Sequence, residues 1–354
     1  MPAINKKQKT ITSILLIITL LTSVVVTVSL GRKNAGQSST ITQHDKKPNY
    51  PESKTPNPEA LENLKTLNIL LLGYGGAGHD GGYLTDVIQV LHINFAENKL
   101  RLISIPRDLW VTLPNGKSDK INHGFTLDGG QTSKTMAEVV TGLKIHYFLA
   151  IDFVGFKKAI GENLDGIEVD VPETLDDPWY PIKGEELNTC GMSNEELEEV
   201  HVKFSGFELE RQFECRYEQV YFEKGEHHME GGDALKYVRS RHGSAAGDFS
   251  RSQRQAVILK AAKNKLLSLE ALDKSVEFFA EISQLLSSDI DTDVVRFLTP
   301  GLKSASQFKL ETLVLSTDNA FVNSKSASGQ FILLPKEGQD NWDQIHKLIE
   351  TRLK

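Results

Sequence analysis

Apolar residues recur with different rhythms along this chain, and each rhythm predicts a different kind of element. From Ile11 to Leu30 the run is unbroken: twenty residues rich in Leu, Ile and Val, relieved by Thr and Ser, carry no charge. At helical rise that length matches the hydrocarbon core of a bilayer. From Leu67 onward the runs shorten. Asn68–Gly73 (NILLLG) is a brief apolar stretch ending in glycine; Val87–Ile93 and Leu100–Ile105 follow, with a turn at Ala96–Asn98 between them. Short apolar runs bounded by turn residues predict buried strands. Further strands are predicted at Tyr147–Asp152, Ile167–Val171, Thr312–Ser316 and Gln330–Leu334. Elsewhere the period lengthens to that of a helix. Helices are predicted from about Thr132 to Thr141, shortly after the Val154-Gly155-Phe156 turn, from Arg254 to about Leu267, and over Leu272–Leu286. Another starts at Val294–Leu298, and Asn341–Leu353 is amphipathic, with Trp342, Ile345, Leu348 and Ile349 on one face. This mixture predicts an α/β fold, an α-β-α sandwich with a mixed central sheet flanked by helices.

The same pattern divides the chain. Lys6, Lys7 and Lys9 precede the apolar run, and Arg32 and Lys33 follow it. The run is too long for an ordinary signal-peptide core, and no small-x-small cleavage site follows. Residues 1–9 are expected to be a short cytoplasmic tail and 10–30 a transmembrane signal anchor in the cell membrane, single-pass with the C-terminal part extracytoplasmic. A cleaved signal peptide is the alternative, and positive charge on both flanks weakens the orientation signal. Residues 31–65 form a flexible linker, polar and holding four prolines between Gly36 and Ala60. Residues 66–354 are the folded part.

Charge changes the picture, because the net of −7 is unevenly spread. Between Glu173 and Glu218 stand thirteen acids against Lys183, Lys203, Arg211 and Arg216. The remainder is therefore slightly basic. This acidic segment, an insertion of roughly 176–221, also holds both cysteines. Cys190 and Cys215 can close a loop which, in an oxidising compartment, adds about 3 kcal/mol; two unrelated thiols are the other reading. His227-His228 read as turn residues rather than as metal ligands, since neighbours on an extended segment face opposite ways.

The densest chemistry lies at Lys236–Gln255, where Arg239, Arg241, Arg251 and Arg254 meet one acid, Asp248. The alternation in Tyr237–Arg241 predicts a strand with Arg239 and Arg241 on one face. His242–Phe249 reads as a loop, and the helical period from Ser250 places Arg251 and Gln255 together, at i and i+4. Guanidinium forks near a helix N-terminus suit phosphate oxygens; a solvated basic face is the plainer reading. Gly73–Gly82 is a glycine-rich loop after a strand, without the Gly-Lys-Ser/Thr of a nucleotide-binding loop. Asp86 begins one predicted strand and Arg107 ends the next, so in an antiparallel hairpin they become neighbours. Lys120-Ile-Asn122 is placed in a loop.

These motifs, in order, resemble the LytR–CpsA–Psr family of cell-wall glycopolymer transferases. The matching pieces are Leu84-Thr-Asp86, Ser104-Ile-Pro-Arg-Asp108, Lys120-Ile-Asn122, Asp152-Phe-Val-Gly-Phe156 and Gly166-Ile-Glu-Val169. The Gly231/Gly232-to-Arg241 run, Gly247-Asp248 and Arg251-Ser-Gln-Arg-Gln255 complete the set, so core motifs span 84–265 and further helices and strands occupy 266–354. The resemblance implies an apolar groove for a polyprenyl chain beside the sheet. It implies transfer of a glycopolymer from a polyprenyl-pyrophosphate carrier to a hydroxyl on peptidoglycan or a similar wall glycan, with a pyrophosphatase side activity. By the same resemblance Arg107, Arg239, Arg241 and Arg251 grip the diphosphate, supported by Asp248 and Gln255. Asp86 ligates Mg²⁺ (or Mn²⁺), Asp86 or Asp108 acts as base, and Lys120 and Asn122 contact substrate.

Two positions depart from the family pattern. Many members carry an Asp where this chain has Gly75, and an Arg where it has Leu84. Asp80 or His79, in the same loop, is the expected replacement ligand. The departures keep a second class open, a polyprenyl-pyrophosphate-binding protein or regulator of envelope assembly without turnover. Nucleic acid is not an expected partner, because an exported domain does not meet it.

Overall fold

The computed structural model describes residues 65–79, 81–113, 116–240, 247–268, 285–290 and 309–354. The predicted anchor and all but the last residue of the predicted linker lie outside these residues, as do the helix start at 294–298 and all but the last two positions of the predicted 272–286 helix. Among the described residues no helix is long and apolar enough to cross a membrane. The described chain forms two units, one of residues up to Asp165 together with those from Ala262, the other Gly166–Ala261.

The first unit is built on a six-stranded mixed sheet. Its strands are β1 (Thr66–Tyr74), β2 (Thr85–Asn94), β3 (Lys99–Ser104), β6 (Tyr147–Asp152), β11 (Leu286–Ser288) and β12 (Lys309–Val314), in the order β11-β6-β1-β2-β3-β12. β1 pairs parallel with β6 and β3 with β12, whereas β1–β2, β2–β3 and β6–β11 are antiparallel. Central β1 is buried on both faces, which is why NILLLG shows no alternation. Leu70, Leu72, Val90, Ile103 and Phe148 face one way. They share a core with Met136 and Val140 from the helix Gln131–Thr141, and with Trp342, Ile345 and Ile349 from the helix Asp343–Leu353. His346 of the second helix meets the Val139 carbonyl at 2.9 Å. It packs so close to Gly142 (φ +68°) that a Cβ there would lie 3.0 Å from its ring. A mixed α/β fold with a central mixed sheet thus matches the sequence expectation. Two short ladders complete the unit, β4 (Trp110–Thr112) with β5 (Ser118–Lys120), and β13 (Phe321–Lys325) with β14 (Phe331–Pro335).

One end of the sheet face carries a polar row. Asn68, His92, Arg101 and Glu311 are cross-strand partners on β1, β2, β3 and β12. His92 Nδ1 meets Asn68 Oδ1 at 2.7 Å, and Arg101 Nε donates to Glu311 at 3.0 Å. Burial, reinforced by the Arg101 charge, pushes His92 down to about 4.

The second unit holds β7 (Ile167–Val171) paired with β10 (Gly225–Met229), and β8 (Leu175–Pro181) paired with β9 (Tyr217–Phe222). His227 and His228 are therefore strand residues rather than turn residues, pointing to opposite faces: His227 meets the Glu223 carbonyl, His228 the Glu168 carboxylate. The acidic segment lies between and around β8 and β9. It contains the helix Asn194–Lys203, whose start is a capping box of Ser193 and Glu196. Cys190 and Cys215 are bonded to each other, with Cα atoms 5.6 Å apart.

Three local expectations change. The Tyr237–Arg241 segment was expected to be a strand, but Gly231–Arg239 is a helix and Ser240 is its C-cap. Ala234, Leu235, Tyr237 and Val238 are all buried, so the helical spacing of the longer segment outweighs five residues of alternation. Arg239 is therefore a helix residue, and Arg241 lies outside the described residues. The following helix starts at Gly247, earlier than expected, and runs to Ser268. Leu286, the end of another expected helix, instead opens β11.

Candidate functional site

The strand directions assemble the first group of predicted residues. β1, β3, β6 and β12 run the same way, and β2 runs back, so the ends of β1, β3 and β6 and the start of β2 lie along one sheet edge. Ligands of open α/β sheets bind outside such carboxyl ends. Asp86 stands at the start of β2 and Arg107 three residues beyond β3, and Arg107 Nη1 donates to Asp86 Oδ1. The juxtaposition expected of a hairpin is present. Asp108 lies 3.6 Å from Arg107 Nε and accepts from Lys120 Nζ at 2.7 Å. Lys120 is not in a loop: it ends β5, whose pairing with β4 directs it back to Asp108. The result is a chain of alternating charge, Asp86–Arg107–Asp108–Lys120, with each side chain between 16% and 36% exposed.

Asn122 lies beneath that chain. Its carbonyl accepts from Thr85 Oγ1 at 3.3 Å, and its N–H donates to the Arg107 carbonyl at 3.4 Å. It is buried, and its Oδ1 has no hydrogen-bond partner among the described residues. An acceptor left so is costly unless a ligand or water supplies a donor.

The glycine-rich loop closes on itself at the end of β1. Gly76 N–H donates to the Gly82 carbonyl at 2.8 Å, and a Cβ on Gly82 would lie 2.4 Å from the Gly76 oxygen. Asp152, at the end of β6, lies against Gly76 and accepts from the Gly155 N–H at 2.7 Å, capping the helix Phe153–Lys158. His79 packs edge-on against Phe153, and a Cβ at Gly75 would meet the His79 Cβ at 2.9 Å. The His79 side chain thus occupies the space that a larger residue at position 75 would need. Asp80 lies outside the described residues.

In the second unit Arg239 ends its helix, half-buried, and donates from Nη1 to the Tyr180 hydroxyl at 3.1 Å. Burial pushes the Tyr180 phenol up, so the group Arg239 meets is the neutral hydroxyl. Arg251 and Gln255 share a face of the helix Gly247–Ser268, with Gln255 buried. Arg241 lies outside the described residues, and only the backbone of Asp248 is described.

Arg254 has a different task from the other arginines. It is 6% exposed, and it donates from Nε to the Tyr237 carbonyl at 2.9 Å and from Nη2 to the Ser240 carbonyl at 2.5 Å. It thereby satisfies carbonyls at the end of the Arg239 helix, and burial pulls its guanidinium down from its ordinary value. Residue type alone does not separate such a buried fork from a surface one. Its place three residues after Arg251, beside buried Ile258 on a helical period, was the available signal.

The residues from 25 to 345 match the LytR_cpsA_psr family. This chain belongs to that family. Among its LytR_cpsA_psr relatives is the polyisoprenyl-teichoic acid–peptidoglycan teichoic acid transferase TagU of Bacillus cereus, 24% identical over 243 residues, or 68% of this chain and 66% of the relative. Another is the transferase of the same description, TagV, of Bacillus subtilis, 28% identical over 67% of this chain and 52% of the relative. The chain thus spans between half and two thirds of the length of these two proteins. Solved structures share the fold. The crystal structure of B. subtilis TagV superposes with a TM-score of 0.55 at 24% identity, covering 82% of this chain and 97% of that one. TagT bound to LIIa-WTA gives a TM-score of 0.55 at 20% identity, over 84% and 92%.

Proposed function

We propose that this chain is a membrane-anchored phosphotransferase that moves a glycopolymer from a polyprenyl-pyrophosphate carrier to a hydroxyl on peptidoglycan or a similar wall glycan. The observation that carries the reading is the alternating chain Asp86–Arg107–Asp108–Lys120 at the carboxyl edge of the sheet, in a LytR_cpsA_psr protein. Relatives named as teichoic acid transferases support the substrate class. Ile11–Leu30 supplies the anchor, and the apolar groove implied for this family takes the lipid tail.

In the reaction, the acceptor oxygen bonds to the phosphorus that bears the glycopolymer. The bridging P–O bond breaks, polyprenyl monophosphate leaves, and the hydroxyl proton passes to a carboxylate, Asp86 or Asp108. Guanidinium forks suit the diphosphate oxygens, and this is the role that the family resemblance assigns to Arg107, Arg239, Arg241 and Arg251, with Asp248 and Gln255 in support. A group held in place before the reaction stabilises charge developing on the leaving oxygen at little reorganisation cost, and Arg107, paired with Asp86, is such a group. The Asp86 pairing keeps Arg107 extended over the sheet edge, and Asp108 does the same for Lys120.

Asp86 offers the hard oxygen that Mg²⁺ favours. Among the described residues no group of three or more His, Cys, Asp or Glu comes together to hold an ion. An ion held by Asp86 and the substrate's own phosphate oxygens fits this donor set, as is usual for Mg²⁺. Bound there, it would neutralise charge on the diphosphate. Asp80 and His79 remain the candidates for a further ligand. The test is turnover of a lipid-linked glycan by the full chain with Mg²⁺ present or chelated, set beside Arg107→Ala. The reading expects chelation and the substitution each to remove most turnover. Binding of carrier with no release of polyprenyl phosphate under any condition would instead support the non-catalytic binding protein.

A further inference from the structure

The acidic, disulfide-closed segment has no task in the reaction as derived above, yet its two strands carry the contacts that hold the Arg239 helix. From β9, Glu218 accepts from Lys236 at 2.9 Å, and Phe222 meets Tyr237 edge-on with ring centroids 5.5 Å apart. From β8, buried Asp177 accepts from Ser240 Oγ at 2.6 Å, and buried Tyr180 accepts from Arg239 Nη1 at 3.1 Å, its ring 5.6 Å from the guanidinium carbon. Arg254 holds the same helix end from the other side through the carbonyls of Tyr237 and Ser240. The last turn is therefore gripped at Lys236, Tyr237, Arg239 and Ser240. Asp177 itself is fixed by the Trp179 N–H at 2.9 Å. The chain leaves β8 at Pro181 and returns at Tyr217, and the Cys190–Cys215 bond closes that excursion.

We propose that the β8–β9 ladder is a bracket for the diphosphate site, with Tyr180 the positioning residue that sets the direction of the Arg239 guanidinium. An arginine side chain has four rotatable bonds, and an unsupported one loses much of its freedom on binding. A buried hydroxyl on one Nη, with the ring beneath the guanidinium plane, removes part of that freedom beforehand. Apart from Asp177 and Glu218, the acidic residues of the segment are mostly solvated and take no part in this role.

The inference rests on the reading of Arg239 as a diphosphate ligand, and a double-mutant cycle separates the two. The full chain in detergent is titrated calorimetrically with inorganic pyrophosphate, as wild type, Tyr180→Phe, Arg239→Ala and the double variant. Phenylalanine keeps the ring and removes only the hydroxyl. Tyr180→Phe is expected to weaken binding about tenfold with an unchanged melting temperature, the effect of one hydrogen bond to a charged group. It is expected to have no effect once Arg239 is alanine, whereas a merely structural role would cost the same in both backgrounds. If Arg239→Ala weakens binding but Tyr180→Phe does not, or if its cost persists in the double variant, the bracket is overturned and the arginine site stands. If Arg239→Ala leaves pyrophosphate affinity unchanged, the arginine reading fails, and the bracket with it.

Discussion

His92 shows how a single buried side chain sets the response of this fold to acid. Its folded value of about 4 lies below the ordinary 6.5, so between those values the unfolded chain binds the extra proton. The stabilisation is fully present above about pH 6.5 and is lost as pH falls toward 4, amounting to about 3 kcal/mol in all. The groups that face it are Asn68, Arg101, Glu97 and His146, and His146 is itself lowered by burial. Urea unfolding at pH 7 and pH 4.5 checks this: stability should fall at the lower pH, and His92→Gln should flatten part of that dependence. Gly82 is a second residue with a sharp expectation. A Cβ there would meet the Gly76 carbonyl at 2.4 Å, with backbone on both sides and no flexible side chain to move. Gly82→Ala should cost roughly 1–3 kcal/mol, read as a shifted urea midpoint. Neither effect was legible in the sequence, because His92 sits in an otherwise apolar run and Gly82 is one of several glycines. Each became visible only when a strand neighbour or a folded-back carbonyl was placed beside it.

At the scale of elements, the disulfide carries the clearest test. It closes a separation of 25 residues within a segment that has few large buried side chains, so loop entropy should count for much of its stability. Replacing both cysteines with serine should lower the stability of the Gly166–Ala261 unit by about 3 kcal/mol, measured by thermal unfolding under oxidising conditions. No change would mean the excursion is held by its other contacts alone. The β2–β3 hairpin was the most legible element. Two apolar runs around a short turn fix the pairing, and the pairing delivers Asp86 to Arg107 without further information. The Arg239 helix was the least legible. The stretch Tyr237–Arg241, which overlaps its end, alternates like a strand, and only burial of Ala234, Leu235 and Val238 on one face decides for the helix. A strand there would leave Arg254 without the helix end whose carbonyls it satisfies. The acidic segment yielded no elements to sequence reading because charge dominates it. Its helix Asn194–Lys203 has no buried residue, and local capping defines its start.

For the molecule as a whole, the order of motifs was more informative than any one of them, and the family match over residues 25–345 agrees with it. A chain that works on a lipid-linked substrate gains from being held at the bilayer, which raises the effective concentration of enzyme and carrier. Removing residues 1–33 should release the protein from the membrane fraction, while a water-soluble, short-tailed substrate is still turned over. The most direct measurement of the central claim is transfer itself. Full-length protein is incubated with a synthetic polyprenyl-pyrophosphate glycan and peptidoglycan fragments, and the products are read by mass spectrometry. The account predicts a phosphodiester-linked glycan–peptidoglycan conjugate and released polyprenyl monophosphate, both falling at least a hundredfold with folded Arg239→Ala. Equal yields from wild type and variant, or carrier bound and never consumed, would contradict it.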